Sequence, residues 1–160
     1  MQILFTPIGV IRSPFNDIAN MPIQPSGAHD VPGQLILDAQ FEEGIADLDG
    51  FSHLILLYHF HRSKGYSLKV KPFLDTVQRG LFSTRAPRRP NPVGLSIVRL
   101  KHVDSRTLHV LDVDVLDGTP LLDIKPYVPA FDTRSGVRAG WLEKQQEKSR
   151  SLRSDHRFRE

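Results

Sequence analysis

The sequence contains no cysteine among its 160 residues. Disulfide bridges, thiolate metal sites and cysteine nucleophiles are therefore excluded. Long apolar runs are also missing, since no stretch approaches the ~20 residues of a membrane-spanning helix. Segment 1–10 lacks a basic region and carries Pro7 and Gly9, so we interpret it as a strand and not as a signal peptide. These absences favour a cytoplasmic protein with no membrane partner.

The net charge of +3 is unevenly distributed along the chain. Residues 134–160 carry eight basic and four acidic side chains, whereas residues 1–133 carry 13 basic and 14 acidic ones. A basic tail can hold an RNA backbone by displacing counterions, or it can be a solvated helix or a frayed terminus. We expect one domain, with a body over 1–133 and a tail over 134–160 that does not fold independently.

Twelve prolines and eleven glycines interrupt the apolar segments at short intervals, which is typical of an all-β protein. The apolar segments predict strands over 3–11, 34–37, 53–61, 94–101, 107–116 and 121–125. Segment 53–61 is the most continuous of them and is predicted to be buried on both faces. Helices are predicted over 41–48, ending at Asp49-Gly50, and over 137–152. The predicted fold is a small closed or half-closed antiparallel β-barrel with a C-terminal tail helix.

A proline-rich segment carries three arginines within five residues, Arg85, Arg88 and Arg89. The prolines stiffen the loop, so its guanidinium groups lose little entropy on binding an anion. Guanidinium groups bind carboxylate or phosphate through a bidentate fork. The alternative is a rigid surface turn whose arginines are solvated.

Two aspartates, Asp112 and Asp114, are predicted to share one face of the strand over 107–116, before a turn at Asp117-Gly118. Carboxylates aligned in this way can accept ribose hydroxyls or balance a cation, and the alternative is a solvent-facing edge strand. A second pair, His59 and His61, can act as acid and base or bind a metal. Because no further ligand accompanies these histidines, we predict no metal. The loop over 22–32 has small residues that let its backbone approach a ligand closely.

Several motifs occur together in a characteristic order. Ile8-Gly9-Val10-Ile11-Arg12-Ser13-Pro14-Phe15 is followed by Phe51-Ser52-His53-Leu54 and Phe60-His61. Thr84-Arg85 and Arg89-Pro90-Asn91-Pro92-Val93-Gly94 come next, and Asp117-Gly118-Thr119-Pro120 and Asp123-Ile124-Lys125-Pro126-Tyr127 complete the set. In these motifs, over about 8–129, the chain resembles the TsaA/YaeB-like family, whose characterised members are the TrmO tRNA methyltransferases.

The resemblance implies a small β-barrel that acts as a homodimer and binds S-adenosylmethionine near the subunit interface. The implied reaction is N6-methylation of threonylcarbamoyladenosine at position 37 of tRNA. By motif position, the implied cofactor contacts are Pro25, Ser26, Gly27, His61, Arg62, Arg85, Leu95, Asp114, Val115, Leu116 and Asp117. The implied substrate-binding or supporting residues are Arg89, Asn91, Asp123, Lys125 and Tyr127.

Methyl transfer from a sulfonium is an in-line displacement that depends mainly on alignment. The substrate nitrogen is part of a urea-like group and is a poor nucleophile until it loses its proton. His61 and Asp117 are the candidate catalytic bases.

The sequence departs from the family pattern at Arg62, where an uncharged polar residue is usual, and at Arg88, where an apolar or aromatic residue often stands. Longer members carry a C-terminal domain that assists with RNA, and here only the basic tail follows the barrel motifs. The tail therefore substitutes for that domain, or the substrate is a small molecule or another RNA. A non-catalytic module that binds the cofactor or a nucleotide is the third alternative.

Overall fold

The computed structural model describes residues 1–18, 21–22, 27–73 and 76–145. The strands are β1 (Gly9–Arg12), β2 (Pro32–Leu37), β3 (His53–His59), β4 (Lys69–Val70), β5 (Arg79–Gly80), β6 (Val93–Asp104), β7 (Thr107–Leu111) and β8 (Thr119–Pro126). Six of them close into an antiparallel barrel in the order β1-β2-β7-β6-β3-β8, while β4 and β5 pair as a separate ribbon. The all-β barrel predicted from the sequence is confirmed, and it is closed.

The barrel interior is filled by alternate residues of each strand. On β3, Leu54, Leu56 and Tyr58 point inward and are buried. Residues from the neighbouring strands complete the core: Ile11, Leu35, Leu37, Val98, Leu108, Val110 and Leu121. Because side chains of a strand alternate between its faces, the residues between these positions lie on the outer surface. The prediction that segment 53–61 is buried on both faces is therefore wrong, since only the inner face of β3 is fully buried.

Three predicted strands are shorter than expected, and the one over 53–61 ends at His59. The first begins at Gly9 and not at residue 3, because Ile3, Leu4 and Phe5 are exposed and have no strand beside them among the described residues. Gly9 allows β1 to approach β2 closely, since a Cβ there would lie 2.2 Å from the Ile36 carbonyl oxygen. Strand β7 ends at Leu111 because Asp112 adopts a left-handed φ of 70°. The prediction that Asp112 and Asp114 share a strand face is wrong for the same reason.

The helical segments are short. They comprise 3₁₀ helices at Ala39–Ile45, Leu48–Gly50, Leu81–Ser83 and Gly140–Gln145, and α1 at Pro129–Asp132. The predicted helix over 41–48 is interrupted at Asp47, which has a φ of 66°, and not at Asp49-Gly50.

The predicted tail helix is wrong over 137–139, which are not helical, and only Gly140–Gln145 of that range forms a 3₁₀ helix. Gly136 and Gly140 take positive φ angles there, which an α-helix does not accommodate. Residues 146–152 of the predicted helix lie outside the described residues. No helix in the described ranges is long and apolar enough to cross a membrane.

Candidate functional site

One end of the barrel gathers most of the polar residues singled out from the sequence. Strand β3 ends at His59, directly opposite Val93 at the start of β6. Strand β7 ends at the same side, and the segment 112–118 then crosses to the start of β8. Because neighbouring strands are antiparallel, segments far apart in sequence meet here: the loop after β3, the arginine loop before β6 and the aspartate segment after β7.

A buried hydrogen-bond chain connects the barrel interior to this end. The Tyr58 hydroxyl lies 2.9 Å from Ser96 Oγ, and Ser96 Oγ donates to Asp114 Oδ1 at 2.6 Å. Burial raises the pKa of the Asp114 carboxyl to about 6, while the Ser96 hydroxyl and the charge of Arg85 oppose that rise. Asp114 is therefore a carboxylate at neutral pH that gains a proton under mildly acidic conditions.

The hydrogen-bond chain from Tyr58 to Asp114 requires a glycine at position 94. A Cβ at Gly94 would lie 2.2 Å from Tyr58 Cε2, inside the ring's van der Waals surface. The Tyr58 ring packs against Gly94 on one strand and edge-on to Phe60, with ring centroids 5.4 Å apart. The glycine of the Pro-Asn-Pro-Val-Gly motif thus positions Tyr58, and through Tyr58 and Ser96 it positions Asp114.

Asp117 binds the turn that follows β1. Its Oδ2 accepts from Arg12 Nη1 at 3.1 Å, and its Oδ1 accepts from the Ser13 backbone N–H at 3.1 Å. Ser13 Oγ in turn donates to the Val115 carbonyl at 2.6 Å, so the turn and the 112–118 segment are joined at several points. Both oxygens of the Asp117 carboxylate are therefore engaged, which favours a positioning role over that of a free base.

Arg99 joins the loop before β2 to the aspartate segment. Its Nε donates to Asp112 Oδ2 at 2.6 Å and its Nη2 to Asp112 Oδ1 at 2.8 Å, a bidentate pair. Nη2 also contacts the carboxylate of Asp30, and the Asp30 N–H donates to Asp112 Oδ1 at 2.9 Å. The guanidinium lowers the pKa of both aspartates. The loop before β2 is thereby tied to the segment that carries Asp114.

The arginine loop is held by its own side chains. Arg89 Nη1 donates to the carbonyls of Thr84 and Ala86, at 2.9 and 3.3 Å, and its guanidinium lies 5.7 Å from the centre of the Phe82 ring. Arg88 Nε donates to the Lys64 carbonyl at 2.9 Å. Arg85 is exposed and makes no hydrogen bond or ion pair within the described residues. It is the arginine of the three that stays free for an anion.

The histidine pair lies at the end of β3 and in the loop after it. Burial lowers the pKa of His61, and the charges of Arg62 and of neighbouring His59 act in the same direction. His61 is therefore neutral at physiological pH and able to accept a proton. Arg62 Nη1 donates to the Asn16 carbonyl at 3.4 Å, which brings the loop after β1 to the same place. His59 lies on the outer face of β3, with His61 just beyond the strand end.

A second group of predicted residues lies on the outer surface of the barrel and not at its end. Leu95, Leu57 and Asp123 form one row across β6, β3 and β8, and Ile97, Ile55 and Lys125 form the next. Lys125 Nζ pairs with Asp123 Oδ2 at 2.8 Å.

Two further residues implied to support the site are Tyr127, just after β8, and Asn91, in the loop before β6. Tyr127 packs edge-on to His53 and its hydroxyl lies 3.1 Å from Thr133 Oγ1. Asn91 is exposed, and its carbonyl accepts from the Val93 N–H at 2.8 Å.

The predicted site residues thus fall into two groups. His61, Arg62, Arg85 and the 114–117 segment belong to the barrel end, whereas Leu95, Asp123 and Lys125 belong to the outer face. Pro25 and Ser26 lie outside the described residues, and Gly27 lies in the loop before β2 that Arg99 holds. Within the described ranges no three histidine or acidic side chains are grouped as metal ligands.

Sequence reasoning did not identify Tyr58, Ser96 and Arg99 as parts of the site. Ser96 carried a usable signal, since a serine between the apolar residues of a buried strand implies a polar partner inside the core.

The comparisons with known proteins identify one family. The family model of the tRNA-methyltransferase O N-terminal domain matches residues 10–133. A Pyrococcus abyssi protein named as a probable S-adenosyl-L-methionine-binding protein is 51% identical over 158 residues, which cover 99% of this chain and 86% of that protein. An Escherichia coli protein named tRNA (adenine(37)-N6)-methyltransferase is 37% identical over 149 residues, covering 87% of this chain and 63% of that protein.

Among solved structures, TrmO from Pseudomonas aeruginosa superposes with a TM-score of 0.74 and 38% identity, covering 88% of this chain and 63% of that one. The chain therefore spans most of its archaeal relative but less than two thirds of the two bacterial proteins. It belongs to the family of the tRNA-methyltransferase O N-terminal domain. The family resemblance predicted from the sequence motifs is confirmed.

Proposed function

We propose that this chain is an S-adenosylmethionine-dependent methyltransferase that methylates N6 of adenosine 37 in tRNA, with threonylcarbamoyladenosine as the substrate nucleoside. The observation that carries the proposal is that a free guanidinium, that of Arg85, lies near enough to the half-buried carboxylate of Asp114 at the barrel end for its charge to act on the pKa of Asp114. The name of the Escherichia coli relative supports the same reaction, and the name of the Pyrococcus abyssi relative supports the cofactor.

The donor set of the barrel end fits the cofactor. S-adenosylmethionine, when bound, supplies an electrophilic methyl group on a sulfonium, together with a carboxylate and two ribose hydroxyls. Arg85 is the residue to hold the carboxylate through its guanidinium fork. Asp114, fixed by Ser96, is the residue to accept ribose hydroxyls or to balance the positive sulfur. The remaining contacts proposed are those implied by the motifs, from Pro25 to Asp117.

His61 is the better of the two candidate bases. It is neutral at physiological pH because burial lowers its pKa, whereas the Asp117 carboxylate is already bound by Arg12 and by the Ser13 N–H. In the proposed reaction the nitrogen–carbon bond forms as the sulfur–carbon bond breaks, and the proton of the substrate nitrogen passes to the His61 imidazole. A His61→Ala variant that methylates tRNA at the wild-type rate would exclude this role.

The outer face of β3 and β6 favours a homodimer. Val93, Leu95 and Ile97 are exposed by 37%, 46% and 37%, and Ile55 and Leu57 lie beside them. Contiguous apolar surface of this kind is typical of an interface between chains. Asp123 and Lys125 adjoin the patch, so a second copy seated here would bring the outer group of site residues into contact with a neighbouring chain.

Calorimetric titration with S-adenosylmethionine tests the cofactor part of the proposal. We expect the wild type to bind and Arg85→Ala to lose roughly tenfold or more in affinity, because a charge-assisted pair is removed. Arg138→Ala is the matched control, since this exposed arginine makes no hydrogen bond to the described part of the chain. Absence of binding by the wild type would overturn the proposal.

A non-catalytic cofactor-binding protein is the second candidate. It is favoured by the Pyrococcus abyssi relative, whose name states binding and not catalysis and of which this chain covers 86%. Tight cofactor binding without methylation of any tRNA would establish it instead.

A further inference from the structure

The outer surface of the barrel carries a polar row that the proposed cofactor site does not use. Arg12 on β1 pairs with Gln34 on β2, Gln34 pairs with His109 on β7, and His109 pairs with His102 on β6. Residues paired in this way lie on the same face, and the inward positions beside them are apolar core residues. The row therefore runs straight across four neighbouring strands on the outside.

This row forms the floor of a shallow groove. Lys101, at the irregularity where β6 and β7 change register, adds its ammonium group, and Pro32 and Gly33 form one edge. Lys101 is exposed and makes no hydrogen bond or ion pair with the described residues. The rings of His102 and His109 stack with centroids 4.2 Å apart and planes 13° apart. The groove thus combines the free ammonium group of Lys101 and the ion-paired guanidinium of Arg12 with an aromatic surface.

The groove is continuous with the candidate site. Arg12, at one end of the row, contacts Asp117 at 3.1 Å, and Ser13 beside it contacts Val115. Ser13 also lines the groove. A polymer whose reactive base lies at the barrel end can therefore run its backbone along the groove without crossing the apolar outer face.

We infer that this groove binds the phosphate backbone and an unstacked base of the substrate RNA. Phosphates are attracted by Lys101 and Arg12, and single-stranded bases stack on aromatic side chains such as histidine. The choice of RNA as the partner rests on the proposed function, whereas the groove itself rests on the strand register.

The test compares Lys101→Glu and His102→Ala with the wild-type chain in three measurements: the affinity for S-adenosylmethionine, the affinity for tRNA by fluorescence anisotropy, and the KM for tRNA. We expect Lys101→Glu to weaken tRNA binding about fivefold or more and to reduce the salt slope of log affinity by about one. His102→Ala should weaken binding by a similar factor without changing the salt slope. Both variants should bind the cofactor as the wild type does, which also shows that they are folded.

Lys71→Glu is the matched control, because Lys71 is exposed and lies outside the six barrel strands. Wild-type tRNA affinity and KM in both groove variants would overturn the inference and leave the groove to a protein partner. A different result is possible for the wild type, which can bind tRNA without methylating it. If the groove variants then lose tRNA binding, the groove is supported and the proposed methyl transfer is contradicted.

Discussion

Arg99 and Asp112 form a bidentate ion pair, with Nε to Oδ2 at 2.6 Å and Nη2 to Oδ1 at 2.8 Å. Asp112 holds a left-handed φ of 70° at the point where β7 ends, and Asp30, the other partner of Arg99, has a φ of 61°. Such conformations are unfavourable for residues other than glycine, asparagine and aspartate. The ion pair therefore stabilises two left-handed turns at once, one on each side of the candidate site.

Replacing Arg99 should loosen the candidate site before it unfolds the barrel. We expect Arg99→Ala to lower the affinity for S-adenosylmethionine roughly tenfold, because Gly27 and Asp114 lie on the two segments that Arg99 ties together. Arg99→Lys should recover only part of the affinity, since an ammonium group cannot form the bidentate pair. Calorimetric titration, with thermal unfolding of the same samples, checks this. A lower melting temperature with an unchanged dissociation constant would limit Arg99 to a structural role.

Gly94 should not tolerate a side chain. Its Cβ would lie 2.2 Å from Tyr58 Cε2, so Gly94→Ala must displace the buried ring. We expect a loss of about 1–3 kcal/mol in the free energy of unfolding, the usual cost of overpacking. Urea denaturation measures it, and Gly44→Ala is the control, because a Cβ there meets nothing within 4 Å. Equal stability of the two variants would contradict the packing described here.

Cofactor binding should depend on pH through Asp114. Its pKa in the folded protein is about 6, raised from 3.8 by burial. Affinity for S-adenosylmethionine should therefore fall as the pH drops through about 6, because the carboxylate becomes a neutral acid. Asp114→Asn should bind more weakly at neutral pH and show a flatter profile. A profile that falls equally in the variant would assign the titration to another group.

The raised pKa of Asp114 affects stability in the opposite direction, because the protonation that weakens cofactor binding favours the folded state. A carboxyl whose pKa is raised on folding favours the folded state when protonated, so the free energy that Asp114 contributes is fully present below pH 3.8 and is lost as the pH rises through about 6. Urea denaturation of the wild type and Asp114→Asn across this window should show the difference. A constant difference between the two proteins from pH 4 to 7 would contradict the raised pKa.

The apolar outer face should determine the oligomeric state. We expect the wild type to be a dimer and Ile97→Arg to be a monomer, because a buried unpaired guanidinium opposes association. Sedimentation equilibrium measures the mass, and Leu68→Arg is the control on an exposed leucine outside the patch. A monomeric wild type would remove the proposed dimer without affecting the barrel.

Much of the barrel was predictable because its strands coincide with short apolar segments. The positions of β3, β6 and β8 follow from such segments, bounded by proline and glycine. The ends of β1 and β7 were not predictable in this way. Gly9 is required by a partner strand 27 residues away, and Asp112 takes its turn conformation from Arg99.

The candidate site was predictable only through its motifs. Residue patterns marked Arg85 and Asp114 as charged groups with a possible ligand, but they did not distinguish Arg85 from Arg88 and Arg89, whose guanidinium groups bind nearby carbonyls. The residue patterns also did not show which site residues lie at the barrel end and which lie on the outer face. That separation depends on the register of β3 against β6 and β8, which arises from barrel closure and not from any local segment.

The most direct test of the proposed function is to incubate the chain with S-adenosylmethionine and tRNA that carries threonylcarbamoyladenosine, then to identify the tRNA nucleosides by mass spectrometry. We expect the wild type to form a threonylcarbamoyladenosine with one added methyl group, and we expect Arg85→Ala not to form it. An unmodified nucleoside pool, from a wild-type protein that binds the cofactor, would contradict the proposed function.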